Sequence, residues 1–446
     1  MSKNKRKPNK SSSPAETKKN NSPAAEELNA PVAVPEASPP ETAAAPPEKP
    51  KEVRPYYAGI DIVKILAVFL VISIHFFLYS GFYYEPMTDE KFMAPIAFRW
   101  IAYTCVPLFM TATGYLMKNK KFSPKFYLGL TKIIILYLFI SLLCIHFRKE
   151  QFAEEFDRWK LLRGFLEFNN ANYGWYINYY ICIFLVIPFL NLAFNGLDNK
   201  WQRLVLVITV TLTTVFARSL FLGFERDNQI RLFPDYMNGA WPIAYYYAGA
   251  YIREHPPKNK IVSKLITSVV LVCTLLFMTK SSYDQSLKDV NNYQHFGSLH
   301  FNDYSTYPVF ILAVCIFMLL YDIKTTNKYV KFFLRQISDT TLVLYMISYI
   351  FDQKNYNDWN KDYVTIHQKL FRIFHHGSTA GMQFNDKYPD VYTRWQHCFE
   401  VIGRNFLASL FWALIINNVY NALASLIKLG IAKLKENKSA PAKKTA

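Results

Sequence analysis

Three ionisable residues share one apolar run. Between Gly59 and Ser80 the chain reads GIDIVKILAVFLVISIHFFLYS, with Asp61 and Lys64 near its start and His75 near its end. On a helix turning about 100° per residue, the eleven steps from Lys64 to His75 return to within about 20° of the starting face, about 16 Å along the axis. The two side chains therefore share a face. Asp61 lies one turn before Lys64 and can pair with it, while Val68 and Ile72 fill the stripe between. Ionisable residues inside such a segment are rare enough to suggest function by default. Plainer roles compete: Lys64 snorkelling to headgroups with Asp61 as its counter-ion, and His75 bonded to a neighbouring helix as a structural group.

The run itself is long enough to cross a hydrocarbon core about 30 Å thick. Of the 446 residues, 51% are hydrophobic, and they are grouped in blocks, which predicts an all-α, polytopic membrane protein. The expected spans, about ten, are 58–80, 93–117, 128–147, 174–194, 203–222, 239–253, 261–279, 304–321, 336–352 and 401–427. The formal charge of +18 is concentrated in the tails and in alternate connections: Lys118, Lys120, Lys121 and Lys125; Lys258, Lys260 and Lys264; Lys324, Lys328, Lys331 and Arg335. That placement is a topology signal and not a nucleic-acid footprint, and it predicts both termini in the cytoplasm of a multi-pass cell-membrane protein. On this topology His75 lies towards the outer face and Lys64 towards the inner one. Residues 1–54, rich in Lys, Pro, Ala and Glu, are expected to be a disordered tail, 55–430 the membrane domain and 431–446 a basic tail. No signal peptide is expected. Six singly placed cysteines predict neither a disulfide framework nor a thiolate metal site, and no metal is expected.

Further candidates lie along the chain. In the second span, Arg99 is expected at about the depth of His75, holding an anion, orienting a carboxylate or anchoring at the interface beside Trp100, and Pro107 is expected to kink the helix. Thr113-Gly114 reads as close helix packing. The fourth span opens with Trp175-Tyr176-Ile177-Asn178, where aromatic faces suit sugar C–H groups and the amide suits hydroxyls, although an interfacial aromatic belt explains the rings equally. His295 and His300 make only a weak metal signal. The connection 352–400, with Trp359, Tyr363, His367, His375, His376, Trp395 and His397, is long enough to act as a lid or acceptor-contacting surface. Asn417, Asn418 and Asn421 are expected to hold helices together.

Several of these segments, taken in order over residues 56–430, resemble the integral-membrane acyltransferase 3 family of bacterial cell-surface O-acyltransferases. They are Lys64 with His75, Val106-Pro-Leu-Phe to Thr113-Gly-Tyr-Leu, Gly174-Trp-Tyr-Ile-Asn to Ile187-Pro-Phe-Leu-Asn, Tyr247-Ala-Gly-Ala-Tyr, and Ile337-Ser-Asp-Thr-Thr to Leu344-Tyr-Met-Ile-Ser. Lysine stands at 64 where the family usually has arginine, threonine at 113 where it has serine, and Ser348 where many members have a second histidine. The resemblance implies transfer of an acyl group, usually acetyl, from cytoplasmic acetyl-CoA to a hydroxyl of a cell-surface glycan. No cofactor is bound; the acyl-CoA is a substrate. It further implies His75 as base or acyl relay, Arg99 as oxyanion stabiliser, Lys64 with Asp61 on the donor side, and Trp175, Tyr176 and Asn178 on the acceptor side. Two other classes fit the same residues: a ten-span transporter or flippase of a glycan or lipid intermediate, using the buried charges as a proton relay, and a non-catalytic scaffold.

Overall fold

The computed structural model describes residues 56–84, 87, 89–216, 220–221, 229–230, 233–288, 296–298, 301–362 and 398–439. The chain divides into two units, Met1–Arg54 and Pro55–Ala446. The first, the expected tail, lies outside the described residues. So do Glu225, Arg226, Asp227, Arg231, His295, His300 and the stretch 363–397, with Tyr363, His367, His375, His376, Trp395 and His397.

In the second unit each expected span overlaps a helix, but the fifth, expected over 203–222, is helical only as far as Thr214, and its Leu220–Phe221 is a strand. Helix α1 is Ala58–Tyr79, 22 residues with an acidic first turn at Asp61. The second expected span is broken into α2, Met93–Ala102, and α3, Cys105–Met117. The break at Tyr103-Thr104 follows from Pro107, which has no N–H for the carbonyl four residues back. Thr104 restarts the helix, its Oγ1 donating to Ile101 O at 2.7 Å and its own carbonyl accepting from the Leu108 N–H at 3.0 Å. After them come α4 (Pro124–Tyr127), α5 (Leu130–Phe152), α6 (Arg158–Leu166) and α7 (Trp175–Asn195). Helix α8, Lys200–Thr214, opens with a capping box between Asn199 and Gln202. A two-residue antiparallel pair, Leu220–Phe221 (β1) with Gln229–Ile230 (β2), lies in the next connection. The chain continues through α9 (Trp241–Glu254), α10 (Lys260–Lys288), α11 (Tyr307–Leu320), α12 (Lys328–Asp362) and α13 (Cys398–Ser439).

Among the described residues, six helical segments are long and apolar enough to cross a membrane: Ala58–Tyr79, Glu90–Met117, Pro124–Phe152, Trp175–Asn195, Lys260–Lys288 and Cys398–Leu434. Helices α8, α9 and α11 have 15, 14 and 14 residues, about 21–23 Å of rise. Helix α12 is long enough, but Ser338, Asp339, Thr340, Thr341, Ser348 and Asp352 dilute its apolar content. It also runs ten residues past the expected boundary at 352, so the start of the expected external loop, Trp359 included, is helical. Helix α13 likewise passes 431 without a break.

Packing is led by three helix pairs, α3 on α9, α1 on α12 and α12 on α13, with α1 also against α3. The first is a close backbone crossing. A Cβ on Gly114 would collide with the Tyr246 carbonyl, and one on Gly249 with the Thr111 carbonyl, so the expected small-residue packing at Gly114 is what is found. Helix α13 turns a buried stripe, Val401, Asn405, Ser409, Ala413 and Asn417, towards the bundle at four-residue spacing, while Asn418 and Asn421 face outward. The end at which α1 begins collects basic groups: Lys260 and Lys264 pair with Asp322 at 3.2 and 2.8 Å, and Lys118 and Arg203 pair with Glu254. There Arg253, Asn191 and Asn195 donate to the last carbonyls of α3, groups a helix leaves unsatisfied.

Candidate functional site

His75 meets a partner that the sequence reading left in a loop. Its Nδ1 lies 3.3 Å from Asp352 Oδ2, within ion-pair reach though not aligned as a hydrogen bond. Asp352 is fully buried, and His75 keeps 12% of its side chain accessible. A buried carboxylate needs donors, and Asp352 has them: Tyr173 O–H donates to Oδ2 at 2.9 Å and Asn405 Nδ2 to Oδ1 at 3.1 Å. Asn355 Nδ2 in turn donates to Asn405 Oδ1 at 2.5 Å. Tyr173 also stacks on the imidazole, with centroids 3.7 Å apart and planes inclined by 21°. Around this core, Tyr345 O–H donates to the Tyr173 carbonyl at 2.5 Å and Tyr356 O–H to the Ile72 carbonyl at 3.1 Å. One face of α12 carries Tyr345, Tyr349, Asp352 and Tyr356, at the three- and four-residue spacing of a helix. That pattern was readable, but it straddles the point where hydropathy falls. Ser348, in the place of the family's second histidine, bonds only within its helix, to the Tyr345 carbonyl at 2.9 Å.

Lys64 and Asp61 meet through a third residue. Lys64 Nζ donates to Ser338 Oγ at 2.7 Å, and Ser338 Oγ donates to Asp61 Oδ1 at 2.6 Å. Helix α1 thus anchors on α12 at both ends of its polar face, by Ser338 below and Asp352 above. Lys64 and Ser338 also line a cavity of about 330 Å³ whose walls come from α3, α5, α7 and α12. Its polar lining includes Lys64, Lys132, Ser338 and Asp339, and its aromatic lining Phe109, Tyr176, Tyr180 and Tyr345. One lining residue, Tyr345, donates to the backbone carbonyl of Tyr173, whose ring stacks on His75. Lys132, not singled out from sequence, also lies over the Tyr420 ring at 5.5 Å.

Arg99 is fully buried. Its Nε donates to Tyr83 O–H at 3.2 Å, Nη2 bonds Asn302, and the guanidinium lies 4.3–4.8 Å from the Trp100, Tyr103 and Phe296 ring centroids. Among the described residues Nη1 has no hydrogen-bond partner, and none of Arg99's partners belongs to the His75 cluster. The three acceptor candidates separate. Tyr176 is buried and lines the cavity, whereas Trp175 and Asn178 begin an exposed stripe that continues down α7 through Cys182, Leu185, Phe189 and Leu192. Trp175 stacks on Tyr304 at 6.1 Å and 14°.

No curated protein and no solved structure matches this chain. A family model described as an acyltransferase domain (Acyl_transf_3) matches residues 57–362, from the turn before α1 to the end of α12. That span contains His75, Asp352, Tyr173, Lys64 and the cavity, and it stops short of α13 with Asn405. A helical membrane protein with these side chains on its first and twelfth helices, matched over more than half its length, belongs to the acyltransferase 3 family.

Proposed function

We propose that this membrane acyltransferase moves an acyl group, acetyl in the first instance, from cytoplasmic acyl-CoA to a hydroxyl of a cell-surface glycan or glycan precursor, in the cell membrane with both termini inside. The observation that carries the reading is the separation along α1: His75 held by a buried carboxylate at one end, and Lys64 in a cavity wall at the other. Donor and acceptor then approach from opposite ends. In the transfer, imidazole Nε2 takes the acceptor hydroxyl proton as the oxygen attacks the thioester carbonyl carbon. Collapse of the tetrahedral intermediate breaks the C–S bond, and the imidazolium returns the proton to the departing thiolate. Asp352, on Nδ1, fixes the tautomer and stabilises the imidazolium.

Lys64, with Asp61 and Ser338 holding it, is assigned to the donor's phosphate or carbonyl, and Lys132 in the same wall adds a second cation. Arg99 is assigned to the oxyanion through Nη1. Tyr176 is assigned to the acceptor within the cavity. Trp175 and Asn178 face outward, so they serve an acceptor arriving from the bilayer side. The test is acetyl content of the surface glycan in a His75→Ala strain, together with thiol release from acyl-CoA by the purified protein. Loss of both at normal protein level supports the assignment; unchanged acetylation sinks it.

A further inference from the structure

Tyr173 touches the imidazole and its carboxylate at once. The ring lies face to face with His75 at 3.7 Å, and the hydroxyl donates at 2.9 Å to the same Asp352 oxygen that faces His75 Nδ1. Neither contact alone would fix the imidazole. The carboxylate restrains Nδ1 but allows the ring to swing about that point, and a stacked ring restrains the plane but allows rotation within it. Together they leave one orientation, with Nε2, to which no described residue donates, turned away from Asp352.

The backbone delivering Tyr173 is itself tied down. Between α6 and α7 the chain makes a tight turn with Phe168 at φ 61°, a left-handed position that bulky residues occupy only when held there. The holding bonds are present. Asn169 N–H donates to the Gly164 carbonyl at 2.8 Å, Asn170 Nδ2 to the Leu161 carbonyl at 3.0 Å, and Gly174 N–H to the Ala171 carbonyl at 2.7 Å. Tyr137 O–H donates to the Gly164 and Phe165 carbonyls, both at 3.2 Å, and Arg148 Nη1 to the Asn170 carbonyl at 3.3 Å. Tyr345 closes the set on the carbonyl of Tyr173 itself.

We propose that Tyr173 is a positioning residue that clamps the His75 imidazole against Asp352 and so selects Nε2 as the nitrogen that meets the acceptor hydroxyl. The α6–α7 turn is the support of that clamp. The catalytic part of this inference rests on the acyltransferase reading; the stacking part does not.

Two variants and two readouts separate the possibilities. Tyr173→Phe keeps the ring and loses the donor, and Tyr173→Leu loses both. In protein carrying ¹³C-labelled histidine, the His75 ring signal, assigned by its absence in His75→Asn, is expected upfield through the ring current of Tyr173. It is expected to stay there in Tyr173→Phe and return towards the ordinary position in Tyr173→Leu. In acyl-CoA thiol release, Tyr173→Leu is expected to lose about 10²-fold in kcat with KM for acyl-CoA unchanged, because an ångström-scale misplacement costs that much. Tyr173→Phe is expected to stay within about tenfold of the parent, the worth of one hydrogen bond. An unshifted His75 signal in the parent, or a shift retained in Tyr173→Leu, overturns the clamp. So does Tyr173→Phe falling as far as Tyr173→Leu, which assigns the effect to the hydroxyl alone and serves as the control if the leucine variant folds poorly. Absence of any transfer by the parent with the predicted shift pattern intact removes the acyltransferase reading and leaves the clamp standing.

Discussion

Replacing Asp352 with asparagine should slow transfer far more than it unfolds the protein. The side chains are nearly isosteric, and the carboxylate accepts from Tyr173 and Asn405 while facing His75 Nδ1. An asparagine must present an N–H₂ to one of these donors, so one contact becomes donor against donor, a cost of about 1–3 kcal/mol. Removing a charge from a fully buried position offsets part of that cost. Transfer has no such offset, since the imidazolium formed during reaction loses its counter-charge. The contact is an ion pair at 3.3 Å and not an aligned hydrogen bond; if the imidazolium draws Oδ2 into a charge-assisted bond as it forms, that bond contributes about 1.5–3 kcal/mol, which at 1.36 kcal/mol per decade is about 10- to 150-fold in kcat. If the amide N–H₂ faces Nδ1 and reverses the tautomer, the loss extends to about 10⁴-fold. The assay is thiol release from acyl-CoA with a glycan acceptor, giving kcat and KM separately, beside a melting curve in the same detergent. The expectation is a fall in kcat of at least tenfold, KM for acyl-CoA unchanged and a small shift in melting. A kcat within about threefold of the parent would refute the argument that His75 works through Asp352.

Other outcomes follow from the same geometry. Lys64→Arg should retain transfer, whereas Lys64→Met should raise KM for acyl-CoA about tenfold and, by removing the donor to Ser338 Oγ beside the half-buried Asp61, cost about 1 kcal/mol of stability; kinetics and melting together check this. Gly249→Val should force α3 and α9 apart at Thr111 and destabilise by about 3 kcal/mol or more, read as a lower melting temperature with kcat/KM per folded molecule unchanged. Arg99→Lys distinguishes oxyanion work from anchoring: a drop of about 10²-fold in kcat at unchanged melting supports the first, while lower melting at unchanged kcat assigns Arg99 to holding Tyr83 and Asn302. Outside the membrane, burial raises the Glu154 carboxyl, but hydrogen bonds from Arg148 and Lys160 outweigh it and hold the group below the usual carboxylate value. A depressed folded value means the contribution is complete above the unfolded pKa of about 4.3 and is lost as pH falls through the folded value. Melting curves of parent and Glu154→Gln should therefore converge below about pH 4.

How much of this was legible in the chain varies with the range of the interaction. The shared face of Lys64 and His75, the break ahead of Pro107 and the close packing at Gly114 are local consequences of helix period, a missing N–H and a missing side chain. The family resemblance, expected over 56–430, is matched over 57–362. Asp352 was hidden for a physical reason: its charge ends the apolar run that defines a span, so a hydropathy reading assigns it to the loop, while its partners His75, Tyr173 and Asn405 come from other helices. Ser338 is likewise an ordinary helix serine until α1 lies beside it. Arg99 stands out in the chain as a cation in an apolar span, but no local signal says that three aromatic rings and Asn302 enclose it. Trp175 and Asn178 were grouped with Tyr176 by adjacency, although one helical step of about 100° separates Trp175 from it and two steps separate Asn178, which turns both to a different face.

The Asn405 amide that bonds Asp352 belongs to α13, which leaves the ribosome after every other described helix and lies beyond the matched domain. Until that last helix packs against α12, the carboxylate lacks one of the two donors it has among the described residues, and the surroundings of the His75 imidazole are incomplete. For anyone cutting this protein at the end of the recognisable domain, the same bond marks residue 362 as an unsafe boundary.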